Sequence, residues 1–169
     1  MGLFIPAAVI VILDQLTKHF FWRNGQNYEL IPGYFNITLV KNAGAAFGMF
    51  QGARVFFVAA SFIAVALIIY LGVRLPAAQR WRRVLLGLIL GGAVGNLIDR
   101  VASGEVIDFI QIGVAGHYWP VFNVADSGVT VGAALLILYA LRSQRTLVPV
   151  TPPAADELAP PATDDSIPR

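Results

Sequence analysis

Asp108 lies inside the apolar run Val106-Ile107-Asp108-Phe109-Ile110, and Asp126 has no basic residue within a helical turn of it. Neither carboxylate has a local countercharge. Two such acids brought to about 3 Å cannot both ionise, so they share one proton. One then serves as base toward a water and the other as acid toward a carbonyl, the chemistry of aspartic proteases. A proton relay, or a cation site built from Asp and Asn oxygens, would call on the same residue types.

The other polar residues in apolar surroundings fall into short helical spacings. Asp14 and Lys18 are i,i+4, in the favoured acid-before-base order for an ion pair. Asn96, Asp99 and Arg100 are i,i+3,i+4, so Asn96 can share a face with both charges. Asn123 and Asp126 are i,i+3. The pairs Asp14–Lys18 and Asp99–Arg100 can brace a helix bundle as readily as they can serve a site. His19 and His117 are too few and too far apart for a metal centre, and there is no cysteine to act as nucleophile or thiolate ligand. No metal and no cofactor are expected.

These residues sit in a chain of 169 residues that is 57% hydrophobic and 13% charged. A soluble domain carries about twice that charge. The balance excludes a disordered binder and an ordinary cytosolic enzyme, and a net charge of +2 gives no footprint for nucleic acid. Four stretches are long and apolar enough to cross roughly 30 Å of hydrocarbon. They run from Leu3 to Trp22, from Val55 to Val73, from Val84 to about Ile98, and from Val121 to Leu141. The first lacks a basic leader and a small-residue cleavage site, so it is expected to be a retained helix and not a signal peptide.

Arg74, Arg80, Arg82 and Arg83 lie between spans two and three without an acid, and Arg142 and Arg145 follow span four. On the other side Arg23, Lys41, Arg54 and Arg100 are diluted by Glu29, Asp99, Glu105 and Asp108. The positive-inside rule then puts both termini in the cytoplasm. Asp14 and Lys18, Asn96 to Arg100, and Asn123 with Asp126 all fall toward the outer leaflet, Asp14 roughly 12 Å beneath the outer end of its helix. Segments of about 23–53 and 101–120 are extracytoplasmic. Each holds two extended runs, around Pro32-Gly33 and around Gly113 and Gly116, and together they predict a small β-sheet on the helix ends. Gly87, Gly91 and Gly95 form a GxxxGxxxG ridge for close packing, and Gly128 with Gly132 a second one. Residues 146–169 hold six of the ten prolines and four of the ten acids, and are expected to form a disordered cytoplasmic tail after a membrane domain of residues 1–145.

Five blocks now fall into register. They are Asp14-Gln15-Leu16-Thr17-Lys18, Asn42-Ala43-Gly44-Ala45-Ala46-Phe47-Gly48, Gly91 to Arg100 (GGAVGNLIDR), Val106-Ile107-Asp108-Phe109, and Phe122-Asn123-Val124-Ala125-Asp126-Ser127. In order and spacing the chain resembles the bacterial lipoprotein signal peptidases, the signal peptidase II family, over roughly residues 3 to 142. The resemblance implies an α-helical integral membrane protein with four transmembrane helices and an extracytoplasmic β-cradle, in the bacterial inner membrane. It implies an aspartic endopeptidase that cuts diacylglyceryl-modified prolipoproteins on the amino side of the lipidated cysteine. The catalytic pair would be Asp108 and Asp126, supported by Asp14, Lys18, Asn42, Gly44, Asn96, Asp99, Arg100, Asn123 and Ala125. Globomycin would inhibit it by lodging a hydroxyl between the two acids.

The partners expected are the lipidated substrate and membrane lipids, with the enzyme a monomer. Asn42, Asn96 and Asn123 are amides able to hold substrate backbone, and Arg100 could hold substrate carbonyls or orient Asp99. Gly128 stands where the family more often has a larger apolar residue, which would loosen span four below Asp126. The competing reading is a small proton- or cation-conducting membrane protein with the buried acids as a relay.

Overall fold

The computed structural model describes residues 1–44 and 54–145. The tail at 146–169, and the part of the second sequence block beyond Gly44, lie outside the described residues. Helix α1 spans Phe4–Asn24, α2 Arg54–Arg74, α3 Arg80–Ala102 and α4 Val124–Arg145, with a 3-10 turn at Ala77–Gln79 leading into α3. All four helices are long and apolar enough to cross a membrane. The 21 residues of α1 and of α2 correspond to about 32 Å, enough for the hydrocarbon thickness.

The helices bury little of themselves in protein. In α2, the most apolar of the four, Gly72 is the single buried residue, and the helix packs chiefly on α3. Large side chains such as Phe62, Ile63 and Leu67 point outward, as a lipid solvent permits. Helix α3 is the hub, packing against α1, α2 and α4. Its glycine ridge makes this possible. A Cβ on Gly91 would lie 2.6 Å from the Ala7 carbonyl oxygen, and one on Gly95 would lie 2.6 Å from Asp14 Oδ2. With no side chain in the way, α1 reaches the α3 backbone. Gly128 behaves in the same manner and corrects the expectation of a loosened span. A Cβ there would sit 3.1 Å from Ile10 Cγ2 and 3.2 Å from the Leu88 carbonyl oxygen, so the small residue admits α1 and α3.

Four antiparallel strands lie at one end of the bundle, in the order β1 (Tyr28–Ile31), β2 (Phe35–Asn42), β3 (Val106–Val114) and β4 (His117–Tyr118). The β3–β4 connection has two residues, Ala115 and Gly116, at φ 50° and 84°, the left-handed geometry that suits a tight hairpin. Strand β2 carries a bulge: Ile37 pairs with Ile110, but Val40 pairs with Asp108. The extra residue on β2 sets Asn42 opposite Val106, diagonal to Asp108 on the same face. Stacking of Phe21 on Phe109, with centroids 4.7 Å apart, ties the sheet to the end of α1.

One boundary differs from expectation. Val121 and Phe122 are extended, not helical: Phe122 bridges to Ile110, accepting its N–H at 2.8 Å and donating to its carbonyl at 2.9 Å. Hydropathy sees the apolar side chains but not this strand-like backbone pairing. Asn123 therefore caps α4 instead of lying in its first turns.

Candidate active site

Helix α4 begins with a reciprocal cap. Asn123 Oδ1 accepts the Asp126 N–H at 2.9 Å, and Asp126 Oδ2 accepts the Asn123 N–H at 3.2 Å. This Asn-x-x-Asp box satisfies helix-start donors and immobilises the Asp126 carboxylate. Its other oxygen, Oδ1, accepts Asn96 Nδ2 from α3 at 2.7 Å.

Asp108 approaches from β3. Its Oδ1 accepts Asn123 Nδ2 at 2.7 Å, and its Oδ2 accepts Asn42 Nδ2 at 3.1 Å. Asn123, wholly buried, thus bonds to both acids, through its side chain to Asp108 and through its backbone to Asp126. Burial pushes the Asp108 carboxyl up to about 6, and the charge of Asp126 adds to the rise. The amides of Asn42 and Asn123 pull the other way by stabilising the ionised form. Neither acid forms an ion pair among the described residues.

Behind the two acids is a buried charge network. Lys18 Nζ lies 2.8 Å from Asp14 Oδ2 and 2.7 Å from Asp99 Oδ2, and donates to Asn96 Oδ1 at 3.1 Å. Asp14 Oδ1 accepts the N–H of buried Ala125 at 2.9 Å, fixing the start of α4 against α1. Asp99 Oδ2 also accepts the Ile107 N–H at 3.3 Å, beside Asp108 in the strand. The expected Asp99–Arg100 pair is not formed: adjacent helical residues point about 100° apart, and Lys18 takes Asp99. Arg100 instead lies over the Phe57 ring, 5.4 Å from its centroid.

The two acids face a cavity of about 450 Å³ whose lining includes Asn42, Gly44, Asn96 and Arg100. Of the remaining candidates, Asp14, Lys18, Asp99, Asn123 and Ala125 stand behind that lining. The amides do not fit the expectation that they hold substrate backbone. The side-chain nitrogens of Asn42, Asn96 and Asn123 are taken by the acids, and their oxygens by Gly44 N–H, by Lys18 and Asn123, and by Asp126 N–H respectively.

Four residues were not singled out from sequence. Gln15 Nε2 lies within bonding distance of Asp14 Oδ2, Asp99 Oδ1 and the Gly95 carbonyl, at 3.1, 3.0 and 3.3 Å. Its signal was an amide inside an apolar span. Trp119, Ser127 and Thr130 line the cavity. Ser127 and Thr130 continue the polar stripe one and four residues past Asp126. Trp119 reads in sequence only as an interfacial aromatic.

An arrangement this dependent on side chains from α1, β2, α3, β3 and α4 leaves a long signature, and comparison with known proteins finds it. The family model for signal peptidase (SPase) II matches residues 6–142. The lipoprotein signal peptidase of Symbiobacterium thermophilum is 46% identical over 148 residues, covering 83% of this chain and 95% of its own. That of Geobacter metallireducens is 46% identical over 147 residues, covering 83% and 91%. A solved bacterial membrane enzyme superposes with a TM-score of 0.78 at 35% identity, over 88% of this chain and 92% of that one. A second superposes at 0.70 with 39% identity, over 81% and 90%. With the match running from the first turn of α1 almost to the end of α4, the chain belongs to the signal peptidase II family.

Proposed function

We propose that the protein is an aspartic endopeptidase that removes the signal peptide from diacylglyceryl-modified prolipoproteins, cutting on the amino side of the lipidated cysteine, with Asp108 and Asp126 as its catalytic pair. The observation that carries the reading is that two carboxylates from different elements face one cavity, bonded to amides and, among the described residues, to no cation. Below about pH 6 the buried Asp108 side retains a proton, and that proton belongs to the pair. The ionised acid takes a proton from water as the water oxygen bonds to the scissile carbonyl carbon, and the protonated acid gives its proton to the carbonyl oxygen. Collapse of the tetrahedral intermediate breaks the C–N bond, and the leaving nitrogen receives a proton from the pair. The wall beside the acids is partly apolar (Ile112, Val121, Phe122) and suits an acylated substrate.

The same reading puts the site near the outer leaflet, both termini in the cytoplasm and the working unit as a monomer of residues 1–145 with a cytoplasmic tail. It makes globomycin an inhibitor. A conducting role is disfavoured because the polar side chains gather at the sheet end of the bundle while α2 offers no polar stripe. The test is expression with a lipidated prolipoprotein. The wild type shortens it, while Asp108→Asn and Asp126→Asn insert normally and leave it uncut. Cleavage by either variant at the wild-type rate would remove the pair from the mechanism.

A further inference from the structure

At the end of the bundle away from the sheet, the first turn of α1 and the start of α3 enclose a second cavity, of about 400 Å³, whose lining includes Gly2, Ile5, Pro6, Arg80, Arg83 and Val84. Arg83 stands 13 residues before Asn96 on α3, so this cavity lies about 20 Å from the acids and takes no part in their chemistry. The α2–α3 connection and its flanks hold four arginines, and the chain has no Asp or Glu between Glu29 and Asp99.

The four arginines divide into two kinds. Arg74 lies over the Tyr70 ring, and Arg82 lies over the Tyr139 ring while donating to Gln79. Arg80 and Arg83 are the two that line the cavity. Arg80 is exposed and makes no hydrogen bond or ion pair among the described residues. Arg83 donates one terminal nitrogen to the Leu75 carbonyl, but its Nε is buried with no partner. That Nε is closed off from solvent, so the Arg83 donor left to meet a ligand in the cavity is its other terminal nitrogen, Nη1, which has no partner among the described residues. Neither α1 nor α3 carries an acid in its first turn or a side-chain cap, so both helix starts add positive potential beside the two arginines. Above the cavity the exposed side chains of Ile5, Val9 and Ile12 form an apolar track along α1.

We propose that this cavity binds the phosphate headgroup of an anionic phospholipid, with Arg80 and Arg83 as the phosphate ligands and the outer face of α1 carrying an acyl chain. Two guanidiniums offer the planar donors that phosphate oxygens accept in pairs. An apolar track continuous with a cationic cavity matches a lipid better than a soluble anion. In the orientation proposed above, the lipid comes from the inner leaflet.

The test uses the full chain, equilibrated in neutral detergent with equal phosphatidylglycerol and phosphatidylcholine, and counts retained lipids by native mass spectrometry. The wild type should retain the anionic lipid preferentially. Each arginine near an anionic surface contributes about fivefold in affinity, so Arg80→Gln should lower the preference about fivefold and Arg80→Gln/Arg83→Gln about 25-fold. Arg74→Gln/Arg82→Gln should keep it. Because Arg83 also holds the Leu75 carbonyl, Arg80→Gln alone decides the matter if the double variant folds poorly. The assignment is overturned if Arg80→Gln leaves the preference unchanged, or if the Arg74/Arg82 pair lowers it as much, which would indicate a diffuse surface charge. It is also overturned if millimolar glycerol 3-phosphate displaces the lipid, which would make the site one for a soluble phosphate. A preference seen only after truncation at residue 145 would give the cavity to the acidic tail.

Discussion

Asn42→Ala removes the donor that holds Asp108 Oδ2 at 3.1 Å and leaves the carboxyl otherwise in place. The amide stabilises the ionised form of Asp108, so its loss must raise the carboxyl from its position near 6. A hydrogen bond to a charged acceptor contributes about 1.5–3 kcal/mol, equivalent to about 1–2 pH units. Asn42 is only half-buried on the cavity wall, and water can replace part of the bond, so about 1 unit is expected. If the singly protonated pair is the active form, kcat/KM falls above the upper titration of the free enzyme. The alkaline limb should then move from about 6 to about 7, and the ratio of activity at pH 7 to activity at pH 5 should rise about fivefold even if the plateau drops. The assay is kcat/KM on a lipidated peptide from pH 4.5 to 8.5. Asn42→Asp separates this effect from the turn that Asn42 Oδ1 makes with Gly44 N–H at 3.0 Å. It keeps that acceptor but sets a third carboxyl against Asp108, so its limb should lie at higher pH than that of Asn42→Ala. A limb that stays put in Asn42→Ala, or moves toward acid, would refute both the bond's role and the shared proton.

Two further outcomes follow from the support behind the pair. Lys18→Met leaves Asp14 and Asp99 facing each other without their cation and should destabilise the bundle by about 3–5 kcal/mol, read as a large fall in Tm in detergent. Adding Asp99→Asn should recover part of it, and no fall would mean that the network is dispensable. Gly95→Ala drives a Cβ to 2.6 Å from Asp14 Oδ2 and should lower stability by about 1–3 kcal/mol by prising α1 from α3, which the same melting assay reads.

Hydropathy was sufficient for the four spans because lipid replaces a protein core as their solvent: α2 shows its character in composition alone. The two acids were legible for the opposite reason, since an uncompensated carboxylate in an apolar run is conspicuous wherever it falls. The partnerships were less so. Lys18 had a local acid at i−4, and nothing in the spacing indicated that Asp99, 81 residues away, would take its other side. Asp99 beside Arg100 looked like a pair only because adjacency in sequence was read as adjacency in space. The bulge in β2 and the extended backbone at Val121–Phe122 depend on long-range strand pairing, which side-chain polarity does not encode. The asparagines were recognised as polar groups with work to do, but their partners proved to be the acids themselves.

That choice of partner explains how four acids coexist at one end of a membrane bundle. Around the cavity and the layer behind it, Asp14, Asp99, Asp108 and Asp126 have Lys18 and Arg100 as neighbouring cations among the described residues. Lys18 is fully engaged by Asp14 and Asp99, one layer behind the cavity. From there its charge still favours ionised Asp108, but as the smallest of the influences on that carboxyl, whose rise is set by burial. Asn96 stands between Lys18 and Asp126, its Oδ1 accepting from the first and its Nδ2 donating to the second. A neutral amide transmits position without transmitting charge. Asn123 does the same between Asp108 and Asp126, fixing both carboxylates without a cation. Both carboxylates are thus positioned by amide dipoles, with the lysine paired one layer behind them, an arrangement that suits the shared proton the proposed reaction needs.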